Sequence, residues 1–135
     1  MFQRLSFRSI AMLAISLSGA GTCVPGIAAP TVPPDALAVI AQVNTAATRK
    51  DFAALEALMT PEFIWSYGGD ASATGALANW ESHPKVLKDL QRITSSPCVA
   101  RSALVECAAS TKGGFRAGFK QTPAGWRMVY FVEGD

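Results

Sequence analysis

The chain has 135 residues, half of them hydrophobic, with twelve basic and ten acidic residues; that suffices for one domain around a single core and is too short for two. Its charges are scattered singly and nearly balance, so the sequence lacks the basic stripe that phosphate contacts require, and nucleic acid and anionic membrane surfaces are not expected partners. There is no phosphate-binding Gly-x-x-x-x-Gly-Lys loop, no Gly-x-Ser-x-Gly elbow and no second histidine or cysteine pair at ligand spacing, so no cofactor, no metal and no nucleophilic residue is expected.

Arg4 and Arg8 precede an apolar run from Ile10 to Leu17, and small residues follow to Gly26-Ile27-Ala28-Ala29. Residues 1–29 therefore read as a secretory signal peptide, cut after Ala28 or Ala29. Ser18, Gly19, Gly21, Thr22 and Pro25 interrupt the run too early for a membrane span, which needs about 20 predominantly apolar residues. Cys23 raises lipid attachment, but Ala20-Gly21-Thr22 lacks the leucine-then-small pattern before it. The mature chain is expected in the periplasm or secreted, without stable membrane insertion. Loss of Arg4 and Arg8 leaves ten basic residues against ten acidic ones.

Residues 30–34, with three prolines, read as an extended lead-in to a single domain over 35–135. Asp35 is expected to cap a helix running to Arg49, with Leu37, Ile40, Val43 and Ala47 along one side. Asp51 restarts a shorter helix whose stripe is Phe52, Leu55, Leu58 and Met59, ended by Thr60-Pro61. The period then changes to two: Phe63, Trp65 and Tyr67 alternate with Ile64, Ser66 and Gly68, which predicts a strand ended by Gly68-Gly69-Asp70. Helical spacing returns from Ala73 to Ile93, with Leu77, Trp80, Leu87 and Leu90, and Pro84 predicts a break near His83.

Cys98 to Arg101 and Leu104 to Cys107 read as two strand arms around Ser102-Ala103, which sets the cysteines opposite each other at disulfide distance. An exported compartment keeps such a pair oxidised. The spacing is not Cys-x-x-Cys, so the bond is read as a staple and not a redox site. Gly114 to Gln121 and Trp126 to Glu133 form the last hairpin, joined at Thr122-Pro123-Ala124-Gly125. The final strand is apolar on both faces and is expected to be central or covered on both sides. With Gln121 opposite Trp126, strict alternation puts Phe115, Ala117, Phe119, Met128, Tyr130 and Val132 toward the core. Arg127, Val129, Phe131 and Glu133 then face outward, with Glu133 opposite Gly114. A slip of one residue would instead set Glu133 beside Phe115.

The pattern Asp51-Phe52-x-x-Leu55-x-x-Leu58-Met59-x-Pro61-x-Phe63 and the closing run Gly125-Trp126-Arg127-Met128-Val129-Tyr130-Phe131-Val132, with the order of elements, resemble the NTF2-like or SnoaL-like cone, and Trp65-Ser66-Tyr67-Gly68-Gly69-Asp70 with the terminal Phe131-Val132-Glu133-Gly134-Asp135 resembles parts of small exported bacterial proteins of unknown role. The resemblance implies an α+β fold, N-terminal helices packed on a curved antiparallel sheet, with a pocket beneath the helices. It assigns no catalytic residue, because a fold does not carry a function with it. Trp65, Tyr67, Asp70, Trp80 and Tyr130 are the candidates to line a ligand site. His83, beside Pro84, is expected at an exposed helix break. Three readings follow: a non-catalytic module binding a small apolar ligand or a partner protein; an acid/base enzyme (isomerase, cyclase or dehydratase) using Asp70 and a tyrosine; or an assembly protein forming a homodimer through its sheet face.

Overall fold

The computed structural model describes residue 21 and residues 30–66, 68, 71–109 and 114–134. The expected signal peptide with Cys23, and Tyr67 and Asp70, lie outside the described residues. Among the described residues no helix is long and apolar enough to cross a membrane.

Helix α1 (Pro34–Arg49) opens on a proline, whose fixed φ suits a first turn and whose missing N–H is no loss there. The cap is Pro33, without a side-chain bond, so Asp35 stands in the first turn and favours the helix through its charge instead of capping it. Lys50 closes α1 in the left-handed region, its N–H meeting the carbonyls of Ala46 and Ala47. Asp51 caps α2 (Phe52–Ala57) as expected, its carboxylate accepting from the Ala54 N–H at 3.0 Å. The predicted stripe extended to Met59, but the helix stops at Ala57. Strand β1 (Met59–Ile64) draws Met59 and Phe63 into the core and tolerates Pro61 because it is an edge strand.

The predicted long helix divides at His83-Pro84 into α3 (Ala73–Ser82) and α4 (Lys85–Thr94). Ser72 caps α3 by accepting from the Gly75 N–H. Exposed His83 keeps its ring Nδ1 2.9 Å from the Asn79 carbonyl. Strands β2 (Cys98–Arg101), β3 (Leu104–Ala108), β4 (Phe115–Thr122) and β5 (Gly125–Glu133) complete one sheet in the order β1-β5-β4-β3-β2. The last three pairings are antiparallel; β1 runs parallel to β5, so the sheet is mostly but not wholly antiparallel. As expected, Cys98 pairs with Cys107 and the two are joined by a disulfide. Ser102 supplies the positive φ that the two-residue turn between them demands.

The helices occupy one side of the sheet, and α1 and α4 are tied together by Asn44, which donates to the Gln91 carbonyl and to Thr94 Oγ1, both at 2.9 Å. Between helices and sheet the filling is aromatic: Trp80 meets Phe63 and Phe131 edge-on at 5.7 and 5.9 Å, and Phe131 stacks on Phe115 at 4.8 Å. That places Phe131 in the core and corrects the alternation read from sequence. Gln121 does pair with Trp126 and Phe119 with Met128, but Gly118 pairs with Tyr130, so Val129 is an extra residue in β5. Such a bulge reverses the inside and outside of every later position. Phe131 turns inward, Tyr130 and Val132 turn outward, and Glu133 stands opposite Phe115, still exposed at the strand end.

Candidate functional site

Side chains alternate across a strand, so the residues that avoid the core define the opposite face of the sheet. On that face the pairings align Ile64, Tyr130, Gly118, Glu106 and Val99 in one row across all five strands. Among the described residues no helix covers it. Its two ends are apolar and open, with Ile64 45% and Val99 50% exposed.

The centre of the row is built around a missing side chain. A Cβ on Gly118 would stand 2.1 Å from Tyr130 Cε1 and 2.3 Å from Cζ, so the phenol ring can lie across β4 only because position 118 is glycine. The ring thereby reaches β3, where its hydroxyl donates to Glu106 Oε2. Burial beneath its neighbours, and next the Glu106 carboxylate, push the Tyr130 hydroxyl above the ordinary tyrosine range, while the charges of Arg116 and Arg101 act the other way. The hydroxyl is therefore a fixed proton donor at neutral pH, and Glu106 has one lone pair committed to it.

Cations surround this pair. A second row sets Arg101, Leu104, Lys120 and Arg127 side by side on β2, β3, β4 and β5, and Arg116 stands on β4 on the far side of Gly118. Arg101 and Lys120 are exposed, Arg116 and Arg127 half-buried. Among the described residues none of the four forms an ion pair; the pairs found are those of Asp89 with Lys85 and Arg92 on α4. A cleft of about 370 Å³ runs along the β2 side of the row, between Pro97, Val99, Arg101 and Glu106. A larger one, about 470 Å³, lies away from these charges between α1 and α2, against Ala41, Thr45, Ala54 and Leu58.

The residues named from sequence do not gather at one place. Trp80 is 2% exposed and serves as core between Phe63 and Phe131. Tyr130 is on the other face, turned there by the bulge. Trp65 is half-buried, and its indole N–H has no hydrogen-bond partner among the described residues. Tyr67 and Asp70 lie outside those residues. Glu106, Arg101 and Gly118 were missed. A glycine in mid-strand, opposite a tyrosine in the next strand, was the one available signal, and reading it needed the bulge. Among the described residues no group of three or more His, Cys, Asp or Glu could hold a metal ion.

No family model and no curated protein matches the chain. Among solved structures it is similar to an NTF2-like protein of unknown function from Shewanella oneidensis, at 12% identity over 75% of this chain and 97% of the other, with a TM-score of 0.48. An NTF2-like protein with a cystatin-like fold from Novosphingobium aromaticivorans is 20% identical, covering 72% and 77% of the two chains at a TM-score of 0.46. An epoxide hydrolase from Mycobacterium tuberculosis is 11% identical, covering 74% and 81% at 0.42. The similarity concerns the α+β arrangement of helices over a five-stranded, mostly antiparallel sheet.

Proposed function

We propose that this domain is an exported, non-catalytic binding module that engages a partner protein through the uncovered face of its sheet. The observation that carries this reading is the row from Ile64 to Val99: two exposed apolar ends with an ordered tyrosine between them, on a face without a helix among the described residues. Extended faces with aromatic centres are suited to protein partners, whereas small apolar ligands prefer enclosed clefts of a few hundred Å³. Beneath the helices the space that such a ligand would take is filled by Phe63, Trp80 and Phe131. The Cys98–Cys107 disulfide is consistent with work outside the cytoplasm.

The second reading, acid/base catalysis, draws support from a carboxylate within reach of a tyrosine hydroxyl. Two features weigh against it. The pair is only half-buried, on a face that no helix covers among the described residues, and the hydroxyl proton is already committed to Glu106.

A photo-crosslinking residue in place of Val99, and separately in place of Leu37 on α1, tests the main reading in exporting cells. Leu37 is 49% exposed and lies on the helix side, so it is a matched control. An adduct to another protein at position 99 and none at position 37 is the expected result. An adduct of twice the subunit mass would support the homodimer reading, and no adduct at 99 would sink the sheet-face reading.

A further inference from the structure

We propose that the partner recognised by this sheet face is an acidic protein surface, met by Arg101, Arg116, Lys120 and Arg127 around the Tyr130–Glu106 pair. The inference rests on the sheet-face reading above and names the chemistry of its partner. Cations that are scattered in sequence converge here because each of them falls on an outward position of its strand: Arg101 pairs with Leu104, Leu104 with Lys120, and Lys120 with Arg127, while Arg116 pairs with Val132. Beside them stands one central carboxylate, Glu106, already hydrogen-bonded by Tyr130.

The dimensions decide between a small anion and a protein. Strands are spaced about 4.8 Å apart, so Arg101 to Arg127, three strands on, spans about 14 Å. Arg116 and Lys120 stand on one strand about 13 Å apart at about 3.3 Å per residue. At that backbone spacing the cations are spread over more surface than one carboxylate or phosphate covers, whereas several acidic side chains on a protein surface could meet them all. Apolar Val99 and Ile64 at the ends of the central row add contacts that such a surface would bury.

Charge also separates the other occupants. A second copy placed face to face would bring four cations against four, and like-charge juxtaposition opposes that pairing. A nucleic-acid backbone would meet the Glu106 carboxylate in the middle of the patch, and four cations make a shallow footprint for it. An acidic protein surface can place a donor over Glu106 and carboxylates around it.

The test uses the mature, disulfide-bonded chain and poly-L-glutamate as probe, with a single-stranded oligonucleotide in parallel, titrated at low salt. Expected is saturable binding of poly-L-glutamate that weakens about tenfold in Arg101→Glu/Lys120→Glu and is unchanged in Lys50→Glu/Lys88→Glu, whose lysines are exposed on the helix side. Should charge reversal prevent folding, Arg101→Gln/Lys120→Gln must show the same loss in smaller measure. Absence of binding, equal loss in the two double variants, or tighter binding of the oligonucleotide would overturn the inference. A crosslink at position 99 without poly-L-glutamate binding leaves the sheet-face reading standing and removes only the acidic partner; loss of both removes the reading itself.

Discussion

Tyr130 lies flat over Gly118, two strands from the carboxylate its hydroxyl reaches, and the glycine is what permits it. A methyl group at 118 would meet the ring at 2.1 Å, so the ring must swing away and give up Glu106. Gly118→Ala is expected to lower the unfolding free energy by about 1 to 3 kcal/mol, the range for overpacked sites. Because both act through one contact, Gly118→Ala and Tyr130→Ala should be less than additive in a double-variant cycle. Urea titrations of the four proteins check this, and strict additivity would mean that the ring is not held by the glycine.

The same hydrogen bond predicts a pH dependence of known sign. The folded state raises the Tyr130 hydroxyl above its ordinary value of 10.0, by burial first and by Glu106 second. Above that value the unfolded chain loses the proton while the folded chain keeps it, so the unfolded state binds fewer protons and stability falls as pH rises. The contribution is complete below pH 10.0 and is lost upward from there. The quantity to measure is the difference between the parent and Tyr130→Phe, which isolates this hydroxyl. The parent is expected to lose more stability than the variant between about pH 9 and 11; parallel curves would contradict the assigned environment.

Reading the sequence recovered what local chemistry dictates. Asp51 caps a helix because its carboxylate answers an orphan N–H three residues on, Pro84 ends a helix because it lacks a donor, and the cysteines face each other because a two-residue turn leaves only one register. What it could not supply was set by neighbours remote in sequence. Helix α2 gives up Met59 to a parallel edge with β5, a contact that no local spacing encodes. Charges that looked scattered gather on one sheet face only after three strand pairings are known. Trp80 carried the same apolar signal whether it lined a pocket or filled the core.

The structure now separates those two roles for Trp80. It touches Phe63 and Phe131 and is 2% exposed. Trp80→Ala should cost about 3 to 5 kcal/mol through the cavity it leaves, and Trp80→Phe should recover a large part of that. A stable Trp80→Ala protein that gained affinity for small apolar compounds would instead mark a flexible site.

The staple between β2 and β3 closes a loop with a sequence separation of 9. A loop of that size restricts the unfolded chain by about 2 to 3 kcal/mol in the chain-entropy account. Cys98→Ser/Cys107→Ser should therefore lower stability by about that amount and leave the rest of the sheet intact, because Val105 and Phe119 still pair β3 with β4. Unfolding curves of the double variant with and without reductant should coincide, while the parent shifts toward them on reduction.

Val129 is the residue on which the whole outward face depends. Before it, Met128 faces the core opposite Phe119; after it, Tyr130 faces outward opposite Gly118 and Phe131 returns to the core. Strict alternation without the bulge would exchange the last two. The two registers make opposite predictions for neighbouring substitutions. Phe131→Asp should fail to fold, since it sets an unpaired carboxylate among Trp80, Phe115 and Ala117, a burial that costs several kcal/mol even after partial relaxation. Tyr130→Ser should fold, losing about 1 to 2 kcal/mol for a half-buried ring and its hydrogen bond. Circular dichroism and thermal melts of the two variants, made side by side, read the register directly. A folded Phe131→Asp beside an unfolded Tyr130→Ser would restore strict alternation and move Tyr130, with its glutamate, off the outer face.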